Sequence, residues 1–218
     1  MKSPIFLSAS IPYGARAQQY QPDPLAVREA VHALVGLVLP DRLLVFGGHP
    51  AISPFVWEAA HSLGRDEAVV IYQSELFRKH IPKQAHYFKQ LLWTRDIQND
   101  LELSLARMRD LMIVKRKDER GNEVAKPYGA AFFIGGMEGV EEEWDVFRKT
   151  YDLVPAIPMA STQGAALRIL DDRRYHVSPV YGRGKLNSAL KGASNLIPEL
   201  RSNLNYRSLF REILATVP

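Results

Sequence analysis

The sequence has 218 residues, and we expect a single domain over residues 1–218, with residues 171–218 as a C-terminal extension. Hydrophobic residues make up 46% and charged residues 24%, a profile typical of a soluble globular protein and not of a disordered, collagenous or coiled-coil chain. Lys and Arg (28) exceed Asp and Glu (24) by only four, so the charge alone does not indicate a dedicated nucleic-acid binder.

Cysteine is absent, which excludes disulfides, Cys-ligated zinc, iron–sulfur clusters and thiol nucleophiles. The N-terminus lacks the long apolar core of a secretory signal. No run approaches the roughly 18 apolar residues that cross a bilayer. We therefore expect a cytoplasmic protein that has no membrane partner.

Short, continuous apolar runs alternate with segments of helical period, the pattern of a parallel sheet covered on both faces. The predicted strands are residues 5–10, 43–47, 68–72, 130–135 and 154–158. The predicted helices are residues 24–39, 53–63, 99–114, 141–151, 163–170 and 206–216. The fold class predicted is α/β, Rossmann-like, with a mostly parallel sheet and helices on both faces.

Local signals set several boundaries of these elements. Asp23 followed by Pro24, and Ser53 followed by Pro54, are typical helix starts, and Gly64 is a typical helix end. Residues 115–126 are charged and predict an exposed turn or small hairpin, whereas residues 181–205 predict no clear element.

In such a sheet, ligands bind at the carboxyl ends of the strands, next to helix N-termini. Ser8 and Ser10 end the first strand and lie on the same side of it, so their hydroxyls are candidates for ribose or phosphate; the alternative is that they only terminate the strand. The long connection 12–22 is a candidate lid, and its Arg16 a candidate phosphate ligand or a solvent-facing side chain.

The second strand runs into Gly47 and Gly48, which permit a close approach of backbone to ligand. His49 either donates a hydrogen bond to a ligand or caps the turn, and Ser53 adds a hydroxyl at the next helix. The spacing matches neither GxGxxG nor Walker A.

The fourth predicted strand leads into a second glycine-rich turn and then an acidic helix. Three glycines within five residues permit close approach of a polar ligand, and Glu143 is our candidate for ribose contact or acid–base work. Glu141 and Glu142 are expected to complement the helix dipole. The candidate residues here are Gly135, Gly136, Met137, Glu138, Gly139 and Glu143.

The fifth predicted strand ends at Ser161 and Thr162, which either complete the pocket or cap the following helix. The six histidines show no metal-ligand spacing, so we predict no metal.

The motifs FLSASIP, LLVFGGHPAISP and GGMEGVEEE resemble the SLOG superfamily, Rossmann-like proteins grouped around the Smf/DprA and Lonely Guy families. The first two are most similar to the SLOG branch associated with TIR-domain and nucleoside-phosphorylase proteins in prokaryotic conflict systems. The resemblance covers residues 5–170. It implies a sensor of a nucleotide-derived signal, NAD/ADP-ribose-like or a cyclic nucleotide, in antiviral defence, with no required cofactor. Since no effector is fused, it also implies a homo-oligomer or a separate TIR-type effector.

The Lonely Guy motif PGGxGTxxE is only partly present. Ile134 stands where that family has Pro, one extra residue separates Gly136 from Gly139, and Val140 replaces Thr. These departures count against the family's hydrolase activity but leave a nucleotide pocket in place.

The same extra residue leaves two assignments open. The motif's acid corresponds to Glu142 or Glu143, and its upstream helical arginine to Arg107 or Arg109. An alternative function is therefore a nucleoside 5′-monophosphate phosphoribohydrolase that uses one such pair.

A second alternative is Smf/DprA-like binding of single-stranded DNA, on a basic face interleaved with aromatic residues. We expect instead that residues 78–89 form a surface helix with its two aromatic residues packed inward, and we do not expect nucleic acid as a partner. The basic residues of that hypothesis are Arg16, Arg78, Lys79, Lys83 and Lys89, and the aromatic ones are Tyr87 and Phe88.

Overall fold

The computed structural model describes residues 2–172 and 196–218, and within them six strands form one sheet. The strands are β1 (Ile5–Ser10), β2 (Leu44–Phe46), β3 (Val69–Ser74), β4 (Gln90–Thr94), β5 (Ala130–Gly135) and β6 (Ala156–Met159). Their spatial order is β4-β3-β2-β1-β5-β6, and every neighbouring pair is parallel. The predicted Rossmann-like α/β fold is confirmed.

Helices connect the strands and cover the sheet. They are α1 (Ala15–Tyr20), α2 (Pro24–Val38), α3 (Ser53–Ser62), α4 (Leu101–Arg109), α5 (Glu138–Thr150), α6 (Gly164–Asp171), α7 (Leu196–Ser202) and α8 (Tyr206–Leu214). A π-helical segment, Asp110–Lys115, continues α4. None of the helices in the described ranges is long and apolar enough to cross a membrane.

The strand order reverses between β1 and β5, and this reversal places the site. From β1 the chain moves outward through β2, β3 and β4, and then returns to β5 on the other side of β1. At their carboxyl ends, Ser10 is paired in register with Gly135. In a doubly wound sheet this switch point is where a crevice forms, because the flanking connections leave on opposite faces.

Two apolar layers hold the helices to the sheet. On one face, α2, α3 and α8 pack over the odd-numbered residues of β1, and the rings of Phe132 and Phe210 lie 4.9 Å apart. On the other face, the Phe6 ring stacks on Phe147 at 5.7 Å, and Phe133 meets Trp144 at 4.9 Å. The described part of residues 171–218 therefore packs into the same core as the rest of the chain.

The edge strand β4, fourth along the chain, was not predicted. Residues 78–89 do not form the surface helix that we expected: they contain a 3₁₀ turn, Lys83–Tyr87, and the chain then enters β4. Only one of the two aromatic residues turns inward, since Phe88 is 4% and Tyr87 57% exposed. As an edge strand, β4 is half exposed and lacks the continuous apolar pattern of a central strand.

The boundaries of the other elements lie closer to those predicted from the sequence. The connection 12–22 contains the helix α1, and α5 begins at Glu138 instead of residue 141. The predicted helix 99–114 divides into α4 and the π-helical segment.

The predicted caps mostly agree with the structure. Asp23 Oδ1 accepts hydrogen bonds from the amides of Leu25 and Ala26, at 2.9 and 3.0 Å, at the start of α2. Gly64 follows α3 with a φ of +61°, as expected of a helix end. Ser53, however, is the first residue of α3 and does not cap it through its side chain.

Two further segments complete the comparison with the sequence. Residues 115–126 form the small hairpin that we predicted, closed by an antiparallel bridge between Lys117 and Glu123. Much of the segment 181–205 lies outside the described residues; its last part forms α7.

A buried arginine joins both ends of the chain to the sheet. Arg42 is 2% exposed and donates hydrogen bonds to the carbonyl oxygens of Ser3, Val217 and Pro218, at 2.9, 2.7 and 2.6 Å. Because the guanidinium is buried and its hydrogen bonds join the two termini before β2, Arg42 contributes to stability and not to the site at the opposite ends of the strands.

Candidate functional site

Two buried serine hydroxyls mark the carboxyl end of β1. Ser8 is 1% and Ser10 4% exposed, and neither Oγ has a hydrogen-bond partner among the described residues. Both point to the face covered by α5, in line with Phe6 below them. Buried hydroxyls are normally paired, so this unpaired set is the clearest polar irregularity of the fold.

Glu143 faces Ser8 from the second turn of α5. Its side chain is 13% exposed, and its pKa is raised by burial; Arg109 and the nearby Ser8 hydroxyl oppose this shift by favouring the ionised form. Ser8 Oγ lies near the carboxylate without a hydrogen bond of ordinary geometry. The structure thus brings together Ser8 and Glu143, two candidates from distant parts of the sequence.

Arg109, the last residue of α4, is the cation of the site. It is 8% exposed, its Nη1 pairs with Glu142, and its Nε lies 3.9 Å from Glu143 Oε1. The absence of a side chain at Gly139 makes room for it, since a Cβ there would lie 3.3 Å from Arg109 Nη2. Both glutamates named by the motif comparison therefore contact the same arginine.

The other arginine considered from the sequence lies elsewhere in the structure. Arg107 Nη2 binds Glu119 Oε2 at 2.8 Å, in the hairpin after α4, and a second pairing joins Arg107 to Asp110. Arg107 therefore has no contact with the acidic residues of α5, and Arg109 is the one that the fold brings to the site.

The turn after β2 forms the opposite wall. A Cβ at Gly47 would lie 3.6 Å from Glu143 Oε1 and 3.4 Å from Met108 Cε. Gly48 has a φ of +64°, and a Cβ there would approach Ile71 Cγ2 to 2.6 Å. Gly47 therefore borders the carboxylate directly, whereas Gly48 is required for packing.

His49 and Ser53 serve the turn itself. His49 Nδ1 accepts a hydrogen bond from the Ala51 amide at 3.2 Å, and burial lowers its pKa to about 4, so the ring is neutral at pH 7. Ser53 Oγ donates to the His49 carbonyl at 3.1 Å. The capping role that we considered for His49 is the one observed, and Nε2–H is left as its available donor.

The Gly135–Gly136 turn joins the sheet to α6. Gly136 N donates to Ser10 O at 2.9 Å, and a Cβ at Gly164 would lie 2.8 Å from Gly136 O. Gly135 and Gly136 have φ values of +60° and +96°. These glycines permit the close contact between β1, β5 and α6, and through it they fix the start of α5.

Ser161 and Thr162 have protein partners. Thr162 Oγ1 accepts from Gly135 N at 2.7 Å, and Ser161 Oγ donates to Asn203 O at 3.1 Å and lies 3.3 Å from the Tyr206 hydroxyl. Neither side chain caps α6, the alternative that we considered, and both hydroxyls are engaged by other parts of the protein.

The predicted lid is held over the start of α5. Tyr20, at the end of α1, donates to Glu141 Oε2 at 3.1 Å, and its pKa is raised to about 12 by burial and by that carboxylate. The Arg168 guanidinium lies 3.9 Å from the centre of the Tyr20 ring. Arg16 is exposed, and its Nη1 lies 4.0 Å from Met137 Sδ at the first turn of α5.

The sequence did not predict the roles of two supporting residues, Tyr20 of the candidate lid and Gln73 of β3. Tyr20 gave no local signal, because its partners are more than 100 positions away. Gln73 donates to the Gly48 carbonyl at 3.2 Å and so holds the glycine turn after β2. Its place at the carboxyl end of β3 was a usable signal in the sequence.

The alternative sites gain little from the structure. Within the described ranges, no group of three or more His, Asp or Glu is placed to hold a metal ion. In the basic segment, Arg78 pairs with Glu75 at 2.5 Å and lies over the Trp93 ring at 4.1 Å. This arginine is thus engaged within the protein and does not extend toward a nucleic-acid backbone.

The fold and the site together define a doubly wound, Rossmann-like protein with a polar crevice at its switch point. A family model described as the SLOG cluster3 family matches residues 18–214, and the chain belongs to that family. The superfamily predicted from the motifs is confirmed, and the TIR-associated branch stays a prediction.

No curated protein matches this chain. A solved X-ray structure of TM1055, a structural-genomics target, is similar with 15% sequence identity and a TM-score of 0.50, covering 79% of this chain and 82% of that one. This likeness concerns the fold alone.

Proposed function

We propose that this protein binds a nucleotide-derived small molecule whose ribose lies against Ser8, Ser10 and Glu143. The observation that carries the proposal is the pair of buried hydroxyls without partners beside a buried carboxyl group. Ribose hydroxyls both donate and accept, so they would satisfy the serines and the carboxylate together. Membership in the SLOG cluster3 family supports a nucleotide-related function.

The phosphate end of the ligand would lie at the start of α5. The first amides of a helix have no partner within the helix, and Met137 supplies no side-chain cap there. Arg16 adds a cation from the lid, and Glu138 in the first turn opposes excess negative charge. This balance favours one phosphate over several at this end.

The biological role that we propose is sensing. The resemblance to SLOG domains of prokaryotic defence systems favours a cytoplasmic sensor that has no required cofactor. It would signal by homo-oligomerisation or through a separate TIR-type effector. The ligand would be NAD- or ADP-ribose-like, or a cyclic nucleotide.

The test begins with the wild-type protein and a heat-cleared nucleotide extract. After incubation and washing, the protein is denatured and retained molecules are identified by mass spectrometry. We expect one intact nucleotide derivative in stoichiometric amount. Its affinity is then measured by calorimetry, with nucleoside monophosphates, ADP-ribose and cyclic nucleotides compared.

Serine variants test the site itself. Ser8→Ala and Ser10→Ala remove hydroxyls that have no protein partner, so they should weaken binding at least fivefold without lowering the melting temperature. Ser53→Ala is the matched control: Ser53 is also buried but binds the His49 carbonyl, so it should lower stability and leave affinity unchanged. Unchanged affinity in both Ser8 and Ser10 variants would refute the proposed ribose contacts.

A phosphoribohydrolase is the second candidate, favoured by the buried Glu143 beside Arg109. In that reaction water adds to the ribose C1′, the N-glycosidic bond breaks, and the base leaves with a proton. Glu143 would hold the ribose or take the water's proton. Release of free base from a nucleoside monophosphate, lost in Glu143→Gln, would support it; activity that persists in Glu142→Gln and Glu143→Gln would exclude this mechanism.

A further inference from the structure

Arg109 has more carboxylate neighbours than its single charge balances. Glu142 contacts Nη1 and Glu143 lies 3.9 Å from Nε, while Gly139 borders Nη2. The arginine is 8% exposed, so water has little access to it. The guanidinium is therefore already occupied by the protein's own anions before any ligand arrives.

The two glutamates differ in how easily they can leave. The Glu142 side chain is 57% exposed, whereas that of Glu143 is 13% exposed and borders Ser8 and Gly47. An exposed carboxylate that swings away is hydrated at once, and exposed ion pairs contribute little to stability. Of the two partners, Glu142 is thus the one that a ligand anion would have to replace.

We propose that Glu142 is a specificity-determining residue that keeps Arg109 occupied and selects against a second anionic group at the ribose end of the ligand. This inference rests on the proposed function, since it places the ribose beside Glu143. A phosphate on the 2′ or 3′ oxygen would meet Glu143 and would reach Arg109 only by displacing Glu142. A ribose with free hydroxyls needs no such displacement.

Removing the charge of Glu142 should reverse this preference. In Glu142→Gln the arginine keeps Glu143 as its ionic partner, so the buried cation is not left alone. Its Nη1 becomes available for a phosphate oxygen, which guanidinium groups bind with paired hydrogen bonds. The variant should therefore accept ligands that the wild-type protein rejects.

The experiment compares adenosine 5′-monophosphate with adenosine 3′,5′-bisphosphate by calorimetry. Wild-type protein should bind the monophosphate at least tenfold more tightly, and Glu142→Gln should reduce this ratio at least fivefold. Asp145→Asn, another exposed acid on α5, is the charge-matched control and should keep the wild-type ratio. A ratio in Glu142→Gln within twofold of the wild-type value would overturn the inference.

A second titration separates failure of this inference from failure of the proposed function. If neither nucleotide binds any variant and the extract leaves no retained nucleotide, the proposed function fails, and inorganic phosphate followed by ³¹P NMR then tests Arg109 alone. Glu142→Gln should bind phosphate at least fivefold more tightly than wild type, and Glu142→Gln combined with Arg109→Lys should lose most of this gain. Equal phosphate binding in wild type and Glu142→Gln would overturn the inference by itself.

Discussion

Replacing His49 by Asn should make the stability of this protein less sensitive to acid. The imidazole is largely buried, and its Nδ1 accepts the Ala51 amide, so the folded state disfavours the protonated ring. The Asn Oδ1 can accept the same amide without titrating. The substitution therefore removes the ionisable group and keeps an acceptor for the turn.

The sign and size of the effect follow from the pKa. At pH 7 the ring is neutral in the folded state and mostly neutral in the unfolded state. Below pH 6.5 the unfolded chain takes up a proton that the folded chain does not, so the free energy of unfolding falls until about pH 4. A pKa lowered from 6.5 to about 4 corresponds to a total loss of roughly 3 kcal/mol in the free energy of unfolding between high and low pH. Between pH 7 and pH 5 the wild type should lose roughly 2 kcal/mol more than the variant.

Urea denaturation followed by tryptophan fluorescence at pH 7, 6 and 5 measures this difference. Carboxylates that titrate in the same range are common to both proteins and cancel in the comparison. His80→Asn, which replaces an exposed histidine, is the matched control and should behave like wild type. If the stabilities of wild type and His49→Asn fall in parallel, to within about 0.5 kcal/mol, burial does not keep this ring neutral.

Three further predictions concern stability and the lid. Gly48→Ala should destabilise the protein by about 1–3 kcal/mol, since the new Cβ would lie 2.6 Å from a β3 side chain at a φ of +64°. Gly36→Ala adds a Cβ in open space within α2 and should stabilise the protein by about 0.5–1 kcal/mol. Denaturant midpoints equal to that of the wild type would contradict both predictions. Arg42→Met should lower stability by about 3 kcal/mol or more, because three carbonyls lose a charged donor, and an unchanged melting temperature would show that these bonds contribute nothing. Tyr20→Phe removes the hydrogen bond to Glu141 and should speed amide exchange in α1 while α2 stays protected; unchanged exchange would mean that this bond does not hold the lid.

Much of the fold was predictable because its signals are local. The central strands are continuous apolar runs, as strands buried on both faces must be, and Asp23 with Pro24 marks the start of α2 through hydrogen bonds two and three residues away. β4 was missed for a physical reason as well. An edge strand is only half buried, so its sequence need not be a continuous apolar run.

The candidate site, too, could be predicted only in part from the sequence. The glycine turns and the serines at strand ends could be found in the sequence, since parallel strands bring their carboxyl ends to one edge. The sequence could not show which hydroxyls lack partners. Ser161 binds Asn203 and Tyr206, while Ser10 Oγ has no hydrogen-bond partner among the described residues. Hydrogen bonding between distant elements leaves no periodic trace in the chain.

Sequence by itself determined the class of fold, the edge of the sheet where a ligand would bind, and the residue types gathered there. Only the tertiary structure decided that Arg109 and not Arg107 meets the acids of α5, although both lie on α4 two residues apart. Residues two apart on a helix face different directions, and the packing of that helix against the sheet selects which one points inward. The same packing places Glu143 inside and Glu142 at the surface, and so gives two adjacent glutamates different environments.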